Sequence, residues 1–298
     1  MSAESRYLHG FEVAERSGRT FAPVAEVVQG VTMADAYALQ RKLVENRRRA
    51  GNLVVGFKGG LMSAKSLADR RVTEPLIAPL FRSGDLSSGA RVDLCGYRRA
   101  AFEAKLGFVF RTSVNRQLDS VDALQSLVSA VQPVMDLPDI AYRDDKSYGA
   151  IDMVAAMISS ARFVRGVPSS VDATDLNDLT VSVSRDSVAL TVGKGRESLD
   201  DQWRSLLTLV NTTVRNGYAI DSGQVVITGK IGDKGDLRPG RYHIDYGPLG
   251  DIRFDVVACT ATPLTSSSFA TKPPTTYGEP KLPIRFWRIA GLRFSSVL

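Results

Sequence analysis

"AFEAKLGFVF", residues 101–110, alternates along its length with the period of a β-strand. Phe102, Leu106, Phe108 and Phe110 supply an apolar side, while Glu103 and Lys105, two residues apart, project from the other. A carboxylate and an ammonium are expensive to remove from water unless they are paired, so their place in so apolar a strand demands partners or a function. The segment predicts a core strand that carries its own charge pair.

The chain on either side reads as alternating helices and strands. Residues 32–51, "TMADAYALQRKLVENRRRAG", place Thr32 three residues before Asp35, apolar residues at Ala36, Leu39, Leu43 and Val44, and Gly51 as a stop, the pattern of a capped amphipathic helix. "NLVVGFKGG" (52–60) follows as a short buried strand entering a glycine turn. Residues 120–139 predict a helix stopped near Pro133 and then a strand carrying Asp136 and Asp139. "DLTVSVSRDSVALTVGKG" (178–195) is a hairpin turning near Arg185 and Asp186, and residues 198–217 are a helix capped by Ser198 and ended by Gly217. "QVVITGKIG" (224–232) is a strand entering a second glycine turn. Residues 260–298 are rich in Ser, Thr and Pro and read as an extended arm whose apolar end, with Phe286, Trp287, Leu292 and Phe294, docks on the body or on a neighbouring subunit. The domain reading is therefore 1–259 as one domain and 260–298 as the arm.

Composition narrows the function. The chain has 298 residues, of which 44% are hydrophobic, enough for a sizeable core without covalent staples. Cys95 and Cys259 are too few for a disulfide framework or a cysteine-rich zinc site, which favours a reducing compartment, although the two can pair. No apolar signal core opens the chain and no run of eighteen apolar residues occurs, so a cytoplasmic protein without a membrane partner is expected. The net charge of +6 lacks an aromatic-interleaved basic motif, which argues for small anions rather than nucleic acid as ligands.

Several chemistries are excluded by missing patterns. His9 and His243 lie far apart and outside any metal-ligand spacing. "GKGRES" (193–198) and "GKIGDKGD" (229–236) match neither the phosphate-binding loop nor the dinucleotide fingerprint, and no G-x-S-x-G elbow appears. What remains are lysines and carboxylates at strand ends beside glycine turns: Lys58, Glu103, Lys105, Asp136, Asp139 and Lys230. By residue type alone they make either a structural salt-bridge network or an active site.

The order of the pieces resembles the 2-keto-4-pentenoate hydratase, 2-oxo-hept-4-ene-dioate hydratase and 4-oxalocrotonate decarboxylase group of the fumarylacetoacetate hydrolase superfamily. "DAYALQ" (35–40) is similar to that group's helix signature, "VVGFKGGLMS" (54–63) to its "vvGxKiGlts" turn and "EPLIAPLF" (74–81) to the segment after it. "FEAKLGFVF" stands where the group has an E-x-E strand, "QPVMDLPD" (132–139) where it has "PaxEivD", and "VVITGKIG" (225–232) where it has "xxLTGs". The resemblance, strongest over 30–257, implies an α+β fold with a mixed, largely β core and helices packed outside, and a homo-oligomer.

It also implies a divalent ion held by the two glutamates of E-x-E and a third acid, which chelates a 2-oxo acid and stabilises its enolate. By position Glu103 matches the first ligand and Asp136 the third, but Lys105 stands where the second glutamate belongs. At 4 Å and an effective dielectric of about 20, unit charges interact by roughly 4 kcal/mol, and a dication is repelled by roughly twice that. The expectation is thus a degenerate metal site at Glu103 and Asp136 and no cofactor, with Mg²⁺ or Mn²⁺ as the alternative. Other departures are Leu76 in place of an acid, "AAM" (155–157) in place of "ADN", and Lys230 in place of a serine, while Lys58 fits the family lysine beside the substrate.

The resulting expectation is a lyase or isomerase for a small anionic 2-oxo acid or β-dicarbonyl compound, working through an enolate without a metal. Lys58, Glu103, Lys105, Asp136 and Asp139 would carry the chemistry, with Lys230, Gly60 and Thr228 contacting the substrate. The alternatives are a non-catalytic small-acid-binding or assembly protein that kept the fold, and a metal-dependent hydratase with rearranged ligands.

Overall fold

A computed structural model of the protein describes residues 1–143, 148–171 and 175–259. Its helices are α1 Ala3–Arg16, α2 Val24–Val27, α3 Met33–Arg49, α4 Ala64–Arg70, α5 Val121–Leu127, α6 Ala150–Ala155 and α7 Gln202–Arg215. Its strands are β1 Val54–Gly60, β2 Leu76–Phe81, β3 Asp85–Ser87, β4 Arg91–Asp93, β5 Ala101–Phe110, β6 Val128–Leu137 and β7 Arg162–Arg165, then β8 Thr180–Arg185, β9 Val188–Lys194, β10 Val225–Ile227, β11 Ile231–Asp236, β12 Gly240–Asp245 and β13 Asp251–Val257. The architecture is α+β, with a mixed β core and helices packed against it.

The opening stretch is the centre of the larger sheet. Among the described residues, an eight-stranded sheet runs in the order β2, β1, β10, β5, β6, β7, β3, with β11 also paired to β5. A five-stranded sheet runs β4, β13, β12, β8, β9. In the larger sheet β10 takes the Gly107–Val109 end of β5, and β11 its Ala101–Ala104 end. Directly opposed residues share a face, so Glu103 and Asp136, paired in register across β5 and β6, project together. Lys105 and Val134 are the next pair on that face, and the small apolar cluster of Leu80, Val134, Phe163, Val225 and Ile227 lies on it as well. On the other face Phe57, Phe102, Leu106, Phe108, Met135 and Leu137 join the main core with Leu39, Leu43 and Leu209 of the helices.

The local readings were largely sufficient for these elements. Thr32 caps α3 by accepting from Asp35 N at 3.2 Å, while Asp35 accepts from Thr32 N at 3.0 Å, and Ala36, Leu39, Leu43 and Val44 are buried. The β8–β9 hairpin turns at Asp186 and Ser187, whose φ of 50° and 66° are what a two-residue turn matched to strand twist requires. Two boundaries differ from expectation. Helix α5 ends at Leu127, and β6 begins at Val128 and runs through Pro133. The strand tolerates a proline because the Pro133 carbonyl accepts from Gly166 N on the β7 side, where the last β6–β7 pair is Val134 with Arg165; the missing N–H points off the end of that ladder. Helix α7 is capped by Asp201, not Ser198.

The cysteines form a disulfide, Cys95 to Cys259, across 164 positions of chain, so their small number carries no argument for a reducing compartment. No helix of the described residues is long and apolar enough to cross a membrane. The expected arm at 260–298 lies outside the described residues.

Two glycine substitutions test the packing. A Cβ on buried Gly56 would stand 2.0 Å from the Val225 carbonyl oxygen, whereas one on Gly10, in the exposed interior of α1, meets nothing within 4 Å. Gly56→Ala is expected to lower stability by about 3 kcal/mol or to prevent folding, and Gly10→Ala to raise it by about 0.5–1 kcal/mol. Thermal and urea denaturation read both.

Candidate active site

Lys58 lies near the end of β1, before the glycine pair that closes it, and its side chain crosses to Asp136 with β10 and β5 lying between β1 and β6 in the sheet. Lys58 Nζ donates to both Asp136 oxygens, at 2.9 and 3.2 Å. Lys105 Nζ lies 3.0 Å from Asp136 Oδ2 and 3.0 Å from Glu103 Oε2, and donates to the Gly59 carbonyl at 3.4 Å. Lys58, Lys105 and Asp136 are 2%, 3% and 1% exposed, so two ammonium groups share one carboxylate away from water. Tyr246, from the end of β12, holds the strands in place: its hydroxyl donates to Val134 O at 2.7 Å and accepts from Lys105 N at 3.3 Å.

These contacts drive the two lysines apart in acidity. Burial pushes Lys58 below the ordinary lysine range, with the neighbouring Lys105 charge adding to it and Asp136 opposing it. Burial acts the same way on Lys105, but Glu103 and Asp136 together outweigh it and hold its ammonium above that range. Burial alone would raise Asp136; the two lysines keep it ionised and below the usual carboxylate range. Of the two lysines, Lys58 is therefore the one that gives up its proton more readily.

The network opens on one side into a cavity of about 470 Å³, the size of a small-molecule site. Lys58, Gly60, Glu103, Lys105 and Lys230 line it, and Asp136 lies behind them. Two expected site residues are elsewhere. Asp139 is three positions from Asp136 with Pro138 between, and it is turned to Arg98 at 2.6 Å and to the N–H groups of Arg98 and Arg99. Thr228 is fully buried and donates to Gln202 Oε1 at 2.7 Å, so it braces the turn rather than meeting a ligand. Ser198 supports the same turn, since its hydroxyl accepts from Gly229 N at 2.9 Å and so places the backbone before Lys230.

The reading of the sequence missed Arg70, Tyr148, Glu197 and Lys234, all of which line the cavity. Glu197 has both oxygens held by backbone, Lys194 N and Gly232 N, at 2.8 Å each. The Arg70 guanidinium stacks 4.6 Å over the Tyr148 ring, which in turn stacks on Tyr142 at 4.1 Å. Lys230 and Lys234 share the "GKIGDKGD" segment, so their repeat was the one visible signal.

Comparison with known proteins places this geometry in context. No family model matches the chain. It is 27% identical over 251 residues to a 4-oxalocrotonate decarboxylase of a Pseudomonas species, covering 84% of this chain and 96% of that one. It is 28% identical over 243 residues to a 2-keto-4-pentenoate hydratase of Burkholderia vietnamiensis, covering 80% and 92%. Among solved structures, the 4-oxalocrotonate decarboxylase of Pseudomonas putida G7 complexed with magnesium and adipate superposes with a TM-score of 0.81 at 24% identity, over 86% of this chain and 99% of that one. The same enzyme with calcium and acetate gives 0.79 at 25% identity, over 85% and 97%.

The magnesium and calcium in those structures overturn the expectation of no cofactor. The present arrangement of donors is nevertheless not that of a divalent site, because Lys105 Nζ fills the space between the Glu103 and Asp136 oxygens. An ion on these two carboxylates requires Lys105 to withdraw. Lys105→Glu is accordingly expected to tighten Mn²⁺ binding by about a hundredfold or more relative to the wild type, because it exchanges a repelling charge for a ligand; titration calorimetry showing equal affinities would contradict it. Fold, motif order and coverage of more than nine-tenths of these relatives agree that the chain is similar, along most of its length, to the 2-keto-4-pentenoate hydratases and 4-oxalocrotonate decarboxylases.

Proposed function

We propose that the protein is a lyase acting on a small anionic 2-oxo acid through an enolate-like intermediate. The observation that carries this reading is the pair of buried lysines pushed in opposite directions around Asp136, at the wall of a cavity that also exposes Glu103. The relatives named as hydratases and a decarboxylase support it. A divalent ion of the kind their solved structures hold would meet Glu103 and Asp136 here only with Lys105 withdrawn from between them, and would then supply Lewis-acid polarisation of the oxo oxygen.

The chain's own groups divide the remaining work. Lys58, once it has released its own proton, takes one from the carbon beside the oxo group, and the electron pair left behind spreads onto the oxo oxygen. Lys105 keeps its charge, and its long 3.4 Å contact to Gly59 O is the one a substrate oxygen in the cavity replaces. Glu103, partly exposed at 20%, is the carboxylate placed to relay a proton to substrate, whereas Asp136 sets the charge state of both lysines from behind. Gly60 leaves room at the wall: a Cβ there would stand 2.9 Å from Ile158.

Turnover of a panel of 2-oxo acids and their dienol forms, followed by ultraviolet absorbance with Mg²⁺ present, tests the reading. Lys58→Met and Glu103→Gln are each expected to lower kcat/KM by about a hundredfold or more while the protein stays folded. Because Lys58 acts in its neutral form and its pKa is lowered, kcat/KM is expected to rise with pH through a midpoint below the free-lysine value of about 10.4. Binding of oxo acids without conversion of any would refute the proposal.

A further inference from the structure

Away from the cavity, two parallel strands bring the cysteines together beside an acid. β4 and β13 pair with Val257 opposite Asp93, and the Leu94 N–H donates to the Val257 carbonyl at 3.1 Å, so the register carries on past both strand ends. Two residues further along each chain stand Cys95 and Cys259, with their Cα atoms 4.5 Å apart. One oxygen of Asp93 and the two sulfurs all lie within 4.8 Å of one another. Asp93 is held ready: its Oδ1 accepts from Cys95 N at 2.7 Å and its carbonyl accepts from Arg162 at 3.0 Å, while Oδ2 takes no hydrogen bond from the described residues.

The lyase chemistry proposed above uses none of these groups. Two thiolates and a carboxylate are a donor set that Zn²⁺ takes, in a tetrahedron whose Zn–S bonds of about 2.3 Å set the sulfurs roughly 3.8 Å apart. Rotation of the two cysteine side chains about their Cα–Cβ bonds reaches that separation while the paired strands stay in place. Mg²⁺ prefers oxygen ligands throughout and is a poor competitor for such a set. Among the described residues the cluster holds no fourth acid, cysteine or histidine, and the site is partly exposed, so water completes the coordination.

We infer that Cys95, Cys259 and Asp93 form a redox-gated Zn²⁺ site, closed as a disulfide when oxidised and open to the ion when reduced. A dithiol reductant passes two electrons and two protons to the Cys95–Cys259 bond and becomes a disulfide itself. Zn²⁺ then displaces both thiol protons to solvent as the two Zn–S bonds form, and the Asp93 carboxylate adds the third protein ligand. Either link ties residues 95–99 to the end of β13. That segment carries the Arg98 and Arg99 N–H groups that hold Asp139, which lies between Pro138 and Ile140 of the cavity wall. The same stretch of chain is thereby fastened in both redox states.

The full chain, reduced with a phosphine under nitrogen and freed of metal, is titrated with Zn²⁺ and separately with Co²⁺, with Mg²⁺ in excess to occupy oxygen sites. The reduced protein is expected to bind Zn²⁺ about a hundredfold or more tightly than the oxidised protein, and its Co²⁺ form to show the thiolate-to-metal charge-transfer absorption that oxygen ligands do not give. Asp93→Asn is expected to keep that absorption and to weaken Zn²⁺ by about tenfold or more. The double substitution Cys95→Ser and Cys259→Ser is expected to abolish it. No charge-transfer band in the reduced protein, a band that survives loss of both cysteines, or Asp93→Asn binding as tightly as the wild type would each overturn the inference. So would a loss of fold on reduction, read by circular dichroism, that Zn²⁺ does not reverse. The readouts are independent of turnover, so this site and the proposed lyase stand or fall separately.

Discussion

The structure is organised around Asp136, a carboxylate buried at the centre of the larger sheet and bonded to two ammonium groups. A lone ion there would not be tolerated, and even a single pair repays its desolvation poorly. With Lys58 at 2.9 Å and Lys105 at 3.0 Å, and Glu103 supplying a second negative charge, the four groups are close to neutral as a set. That balance explains how strands so apolar on their opposite side hold charge on this one.

The requirement extends to the backbone. Glu103 must oppose Asp136 in register, β10 must end at Ile227 and the chain must leave the sheet before Lys230, and Tyr246 must reach from the smaller sheet to tie Lys105 N and Val134 O together. The apolar cluster of Leu80, Val134, Phe163, Val225 and Ile227 on the same face keeps water from the far side of the network. Gly107 makes this packing possible, since a Cβ there would stand 2.7 Å from Val134 and 2.8 Å from Val225.

The proposed function rests on the asymmetry of the two lysines. Both are buried to a similar degree, yet Lys105 faces two carboxylates while Lys58 has Asp136 and a positive neighbour. One lysine thereby becomes a fixed charge and the other a group able to exchange a proton. In the solved relatives magnesium or calcium is bound, and the place of Lys105 shows what any such ion must displace in this chain. The protein is thus similar to these enzymes in fold, and in it an ammonium group stands between the two carboxylates at the cavity wall.

Read alone, the sequence determined the elements whose evidence lies within a few residues. The alternation at 101–110, the Thr32–Asp35 cap and the turn at Asp186 are properties of neighbouring side chains and backbone, and they reappear as β5, α3 and the β8–β9 hairpin. The set Lys58, Glu103, Lys105 and Asp136 was also legible, through residue types that do not belong in buried strands. Only the tertiary structure decided their pairing, since Lys58 and Asp136 are 78 residues apart and meet through sheet order and register. The same holds for Asp139, which Arg98 draws away, for Thr228, which Gln202 holds in the core, and for Arg70 and Lys234, whose place at the cavity depends on a helix end and a bulge. Local pattern fixes which way a side chain leaves its own element; what it then meets is set by elements distant in sequence that packing brings alongside.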